Sequence, residues 1–185
     1  MSVSSKLRSL KAGKVLRSGN LIGHQTSTLA GIAASAQSAQ GILKAQRFKQ
    51  RTGPFLLLAD SISTALSQAV YITPALRVLA KQSWPGGVTL VFPAKKNLSK
   101  ACYQQGTVAI RVDTEAETRY LAKVCGGFIV SSSLNRRGKE VRRPNLKLRY
   151  RMHRYLFGVL PHKQIPSGQA SKIFKIAGKK VTQLR

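Results

Sequence analysis

The stretch GFIVSSSLNRRG, Gly127–Gly138, begins as an apolar strand, passes through three serines and an asparagine, and ends in arginines and a glycine. Its first half has the short apolar run of a buried strand. A strand that ends in small hydroxyl side chains and turns at a glycine lets a ligand approach closely. Backbone N–H, Ser hydroxyl and Asn amide groups then supply hydrogen bonds. Strand alternation puts Ser131 and Ser133 on one side and Ser132 on the other. A Ser/Asn-rich turn with no ligand is the competing reading.

Strand and helix signals alternate outward from this stretch. NLIGH reads as a short strand, Ser35 to Phe48 as a helix and PFLLLAD as a buried strand. TPALRVLAKQSW has Thr73 as N-cap and Pro74 at the first helical position. GGVTLVFPA and TVAIRV follow as strands, and then a helix with Thr114 as N-cap and Glu117 as its capping-box partner. In Trp84–Gly87 the indole packs, and Pro85 and Gly86 make the turn into the next strand. The first residues are rich in Ser, Lys and Arg, as in a mitochondrial transit peptide. Leu7, Leu10, Val15 and Leu16 nevertheless partly follow helical spacing and lead into a strand, so a structural first helix is expected. With no internal repeat and no dividing linker, residues 1–185 form one α/β domain.

Charge narrows the partner. The 185 residues hold 32 Lys plus Arg against 5 Asp plus Glu, a net charge of +27. Such a field attracts phosphate polyanions, which points to nucleic acid or nucleotide. The acids are Asp60, Asp113, Glu115, Glu117 and Glu140, so paired-carboxylate catalysis has almost no candidates. Cys102 and Cys125 show no metal-ligand spacing and read as buried thiols in a reducing compartment, and His24, His153 and His162 are scattered. No metal site is expected. Nor does any apolar run approach the roughly 20 residues needed to cross a membrane, so a soluble, cytoplasmic protein is expected. RRPNLKLRYRMHRYLF, Arg142–Phe157, interleaves arginines with apolar and aromatic residues. It reads either as an RNA-facing amphipathic helix, with Arg149, Arg151 and Arg154 as contacts, or as a solvated charged face.

Segments along the chain resemble the YrdC-like family, the threonylcarbamoyl-adenylate synthases, in the family's order. SSSLNRRG is similar to the signature STSAN-x-SG. GNLIGHQTSTLAGI is similar to a strand followed by P-T-x-T-V-Y-G-L, keeping Thr26, Thr28 and Gly31. FKQRTGPFLLLAD resembles the K-x-R motif and the strand behind it. An ungapped count places the motif at Lys49 and Arg51, with Lys44 and Arg47 as a competing register. WPGGVTLVFPA and TVAIRVD resemble W-P-G-P-L-T-L-V-L and V-A-V-R-V-P, and SGQASKIFKIAGKKVTQLR resembles the family's ending. The resemblance covers about residues 10–185.

The resemblance implies a twisted mixed β-sheet with flanking helices and a concave basic face. It also implies condensation of L-threonine, bicarbonate and ATP to threonylcarbamoyl-adenylate, with pyrophosphate released. A downstream transferase complex would carry the group to tRNA beside the anticodon. Position by position, Lys49 and Arg51 match residues that face the phosphates, with catalytic roles. Ser133 and Asn135 match the ATP-binding S-x-N pair, and Arg185 matches an Arg near the nucleotide. Thr28, Arg111, Ser131 and Ser171 match the threonine site, where Arg111 suits the carboxylate. ATP enters as substrate, and Mg²⁺, where used, would be held through phosphates and water.

Four departures fall near the expected pocket. Gln25 and Ala30 replace the proline and tyrosine of the Thr motif, and Leu134 and Arg137 replace Ala and Ser of the signature. A catalytically impaired relative that binds tRNA or double-stranded RNA is therefore the alternative to an active synthase.

Overall fold

Short apolar runs and side-chain-capped helices build the computed structural model, which describes residues 1–135, 155–160 and 166–185. In chain order these are α1 (Val3–Arg17), β1 (Ile22–Gln25), β2 (Ala30–Ser35), α2 (Ala39–Lys49), β3 (Leu56–Ala59), α3 (Ile62–Ser67) and α4 (Pro74–Ser83). There follow β4 (Val88–Pro93), β5 (Tyr103–Gln104), β6 (Thr107–Val112), α5 (Ala116–Val124), β7 (Phe128–Ser133), β8 (Gly158–Val159), β9 (Lys172–Ala177) and β10 (Lys180–Gln183). The strands form one mixed sheet in the order β10-β9-β4-β6-β3-β7-β2-β1-β8, with β5 paired to β6. β3–β6 and β4–β9 run parallel, and β7 is antiparallel to both β2 and β3.

Period-two alternation divides the core into two layers. Ile32, Leu57, Ile110 and Val130 point to one face, where Phe48 of α2 and Leu76 of α4 join them. Ala33, Leu58 and Ile129 point to the other, against Leu16 of α1 and Leu121 of α5. The central strands are buried on both sides, which is why their sequences are apolar throughout. Helix starts are fixed by Ser2, Ser38, Ser61 and Thr73, whose hydroxyls accept from Ser5, Gly41, Thr64 and Leu76 N–H groups. Each such cap contributes about 1 kcal/mol.

Several sequence expectations change here. The helix expected from Ser35 starts at Ala39, because Ala30–Ser35 is a strand wedged between β1 and β7. The Thr114/Glu117 capping box does not form. Asp113 Oδ1 accepts from Glu115 N at 3.0 Å, and Glu117 turns away to Arg8 at 3.1 Å. The first helix does form, but Leu7 and Leu10 are exposed. Its buried face is Ser5, Ser9, Gly13 and Leu16, a row of mostly small residues that brings α1 close to α5. A Cβ on Gly13 would meet Val124 Cγ2 at 2.5 Å. Trp84 is buried, and its Nε1 donates to Val88 O at 2.7 Å, in keeping with a structural role.

The two terminal helices also decide where a ligand can sit. Leu58, on the face that α1 and α5 cover, pairs with Arg111 of β6, so the same sheet face continues past the helices. Over β6, β4 and β9 that face lines a cavity through Arg111, Ala109, Thr89, Val91 and Ile173. The architecture is a single α/β domain with its cavity beside the helix-covered half of one sheet face.

Candidate functional site

The cavity has a volume of about 350 Å³, within the usual range of small-molecule pockets, about 300–1,000 Å³. Its floor is the open face of β6, β4 and β9. One wall is the β1–β2 hairpin, another is the serine run of β7, and Arg51 and Arg185 stand at its margin.

The hairpin turn is organised by hydroxyls. Arg111 Nη1 donates to Thr28 Oγ1 at 2.6 Å. A guanidinium only donates, so the Thr28 hydroxyl accepts here and turns its proton to Thr26 Oγ1, 2.9 Å away. Thr26 in turn donates to Leu29 O at 2.8 Å. Arg111, Thr28 and Thr26 thus form one directed chain that fixes the Thr28 side chain on the cavity wall.

Behind that chain lies Asp113, fully buried. Its Oδ1 accepts from Ser27 N and Glu115 N, both at 3.0 Å, and its Oδ2 accepts from Ser27 Oγ at 3.1 Å. Oδ2 also pairs with Arg111 Nη2 at 2.7 Å. One carboxylate therefore ties the hairpin, the end of β6 and the start of α5 together. Burial lowers the Arg111 pKa, Asp113 opposes that, and Arg185 adds to the lowering. Arg111 Nε is buried with no hydrogen-bond partner among the described residues. A desolvated N–H on a charged group costs free energy until an acceptor meets it, which suits this wall to an anionic ligand group.

All three serines of β7 line the cavity, with Ser131 and Ser133 opposite Ala33 and Gly31 on one face of the sheet and Ser132 opposite Ile32 on the other, as strand alternation puts them. His24 Nε2 lies 3.0 Å from Ser131 Oγ, both side chains being buried. Ser133 Oγ donates to Asn135 Oδ1 at 2.6 Å. Arg51 lines the cavity, with Nη2 3.5 Å from Ser132 Oγ and its guanidinium 5.1 Å from the Phe55 ring centroid. Lys49 is 4% exposed and lies behind Ser133, and neither it nor Asn135 lines the cavity. Lys44 donates to Asn20 at 2.8 Å and Arg47 is exposed, so that competing pair stays away from the cavity.

Ser171 is buried and accepts from Thr89 Oγ1 at 2.9 Å. Arg185 Nε donates to Ser171 O at 3.1 Å, and backbone pairing of Leu184 and Arg185 with Ile173 keeps the last residues on the sheet edge. Ser167 N and Gly168 N donate to Ser27 O and Thr28 O, closing this segment over the hairpin.

The expected threonine residues Thr28, Arg111, Ser131 and Ser171 thus share one cavity with Arg51, Ser133 and Arg185, while Lys49 and Asn135 meet behind it. Arg149, Arg151 and Arg154 lie outside the described residues. Sequence reasoning missed Asp113, His24 and Thr89 as parts of the site. For Asp113 a signal existed, an acid at the end of an apolar strand in a chain with so few acids. Burial raises the thiol pKa of Cys102, in the cavity wall, to about 12 and that of Cys125 to about 11. No cluster of His, Cys, Asp or Glu among the described residues could hold a metal ion. No helix among them is long and apolar enough to cross a membrane.

Known proteins share this arrangement of sequence and fold. A threonylcarbamoyl-AMP synthase of Psychromonas ingrahamii is 30% identical over 127 residues, 66% of each chain. One of Nitrosococcus oceani is 26% identical over 153 residues, 81% of this chain and 83% of its own. Among solved structures, P. abyssi Sua5 complexed with L-threonine superposes with a TM-score of 0.87 at 21% identity, over 97% of this chain and 54% of that one. E. coli YciO gives 0.85 at 17% identity, over 97% and 89%. The chain therefore spans about half the length of the P. abyssi protein. The family model Sua5/YciO/YrdC, described as telomere recombination, matches residues 14–185. That span runs from α1 to β10 and takes in every element that builds the cavity, and the chain belongs to the Sua5/YciO/YrdC family.

Proposed function

We propose that this cavity makes threonylcarbamoyl-adenylate from L-threonine, bicarbonate and ATP, releasing pyrophosphate. The observation that carries this reading is the buried Arg111, held between Thr28 and Asp113 on the cavity wall with an N–H still to be satisfied. An α-carboxylate is the acceptor such a group suits. The names of the curated relatives and the threonine in the P. abyssi structure support the same substrate.

In the reaction, the threonine amine and bicarbonate form an N–C bond with loss of water, giving a carbamate. A carbamate oxygen then bonds to the α-phosphorus as the α–β anhydride breaks and pyrophosphate leaves. The nucleophile is an oxygen anion already, so the site has to align it and offset charge more than remove a proton. That suits a cavity bordered by Arg51, Arg111 and Arg185, whose nearest carboxylate is fully engaged. Thr28, Arg111, Ser131 and Ser171 would hold threonine. Arg51, Arg185 and the Ser133–Asn135 turn would lie along the nucleotide, and the hydroxyl of Ser132 offers a donor to phosphate. Asp113, saturated by its four donors, does not fit a metal, so Mg²⁺ would arrive with the phosphates.

Delivery to tRNA through a separate transferase, and a basic face around the cavity that attracts RNA, belong to the same proposal. The net charge of +27 supports the second. It also supports the alternative of an RNA-binding relative without turnover. Calorimetric titration with L-threonine and with ATP distinguishes the two. Saturable binding of both by wild type, with Arg111→Met losing threonine and Arg51→Ala weakening ATP roughly 30-fold or more, is the expected outcome. Binding of RNA with neither small molecule bound would favour the alternative.

A further inference from the structure

We propose that His24 is a positioning residue for the amine of threonine. Reaching across β2 through the space beside Gly31, its imidazole takes the Ser131 hydroxyl proton and leaves the Ser131 oxygen facing the cavity as an acceptor. This role rests on the threonine reading of the cavity.

The strands set the reach. β1 and β7 are separated by β2, hence by about 9–10 Å, and a side chain of β1 ordinarily meets only β2. His24 stands opposite Gly31, and Gly31 opposite Ser133, in one cross-strand row, with Ser131 two residues back along β7 on the same face. Gly31 has no side chain to block the row. A Cβ there would lie 2.9 Å from Ser132 O, 3.1 Å from His24 Nε2 and 3.3 Å from Ser131 Oγ, so the glycine vacates the space in which the imidazole meets the hydroxyl. Its backbone is not left-handed, and room is what the glycine supplies. The result is a contact of 3.0 Å between His24 Nε2, 2% exposed, and the Oγ of Ser131 on the cavity wall.

The direction of the bond follows from what the other threonine residues can do. Arg111 has donors only. Thr28 Oγ1 accepts from Arg111 and gives its proton to Thr26. Ser171 Oγ accepts from Thr89, with Arg185 Nη2 3.5 Å away. Threonine brings an amine as well as a carboxylate, and its N–H groups need an acceptor. Among the four residues, Ser131 is the one beside a base that can draw its proton away. A neutral imidazole protonated on its other nitrogen presents Nε2 for that purpose. An N–H held on Ser131 also directs the nitrogen whose lone pair forms the N–C bond with bicarbonate.

Calorimetry with threonine, ATP and β-hydroxybutyrate, which is threonine without its amine, tests the role. His24→Phe and Ser131→Ala should each weaken threonine binding about tenfold and leave ATP affinity, the check on folding, at the wild-type value. β-Hydroxybutyrate should bind wild type and both variants alike. The double variant His24→Phe/Ser131→Ala should be no worse than the poorer single variant. His24→Gln, whose amide oxygen can accept at a similar reach, should recover most of the affinity. Wild-type threonine affinity in His24→Phe, an equal loss of β-hydroxybutyrate, additive losses, or no recovery with Gln would overturn the role while leaving the threonine reading in place. Wild-type protein that binds ATP but no threonine would remove that reading and the role together, and nitrogen NMR of the His24 imidazole in wild type and Ser131→Ala would still decide whether the bond itself forms.

Discussion

Arg111 Nη2 lies 2.7 Å from Asp113 Oδ2, with the two side chains 2% and 0% exposed. Removing one member of a buried pair leaves the other charged and unpaired, at a cost of about 3–5 kcal/mol. Asp113→Ala should lose that much in urea unfolding, and the Ser27 bonds with it. The exposed end of the scale is Arg8–Glu117, whose arginine side chain is 35% exposed. Glu117→Gln should cost no more than about 1 kcal/mol. Equal losses in the two variants would contradict the role given to Asp113.

Close approach of α1 to α5 depends on Gly13. Gly13→Val places branched carbon atoms where one Cβ already meets Val124, and such overpacking costs typically about 1–3 kcal/mol. A melting temperature that falls for Gly13→Val but holds for exposed Leu7→Gln would bear this out. An unchanged Gly13→Val melt would show that the helices are not in contact there.

Burial holds the Cys102 and Cys125 thiols at about 12 and about 11, above the ordinary value of 9.0. Raised folded-state values favour the neutral thiols, so their contribution to stability is intact below pH 9. It is lost as pH rises from 9 towards 11 or 12, where the unfolded thiols ionise first. Native protein at pH 8 should react with a disulfide reagent far more slowly than unfolded protein, and Cys102→Ala/Cys125→Ala should flatten the alkaline loss of stability. Fast labelling of both native thiols would contradict the burial.

Much of the fold was legible because its signals are local. Thr73–Pro74 caps α4 and the apolar runs of β3, β4, β6 and β7 carry their own period. β2 was not legible, since Ala30–Ser35 is small and weakly β-forming. It becomes a strand because its neighbours on both sides leave room for little else. The α1 stripe misled for a related reason. Burial there selects Ser5, Ser9 and Gly13 for closeness, while Leu7 and Leu10 face out. At the site, motif order led to Thr28, Arg111 and Ser171, which are far apart in sequence. Asp113 carried a sequence signal as an acid ending an apolar strand, but the four donors that three elements bring to it emerge only in the tertiary structure.

The basic segment supplies a separate expectation, outside the described residues. Replacing Arg149, Arg151 and Arg154 together by Gln should weaken RNA binding nearly uniformly across sequences and flatten its salt dependence, because phosphate contacts carry no base information. Adenylate synthesis from free substrates should survive. Unchanged RNA affinity and salt slope would assign these arginines to a solvated surface.

The most direct measurement is of the product itself. Purified protein is incubated with L-threonine, bicarbonate and ATP, and threonylcarbamoyl-adenylate and pyrophosphate are followed by mass spectrometry and phosphate release. The expected result is product in equal amounts with pyrophosphate, dependent on all three substrates and lost in Arg111→Met and Arg51→Ala variants that still fold. Folded wild-type protein that binds RNA yet yields neither product nor pyrophosphate would contradict the synthase reading.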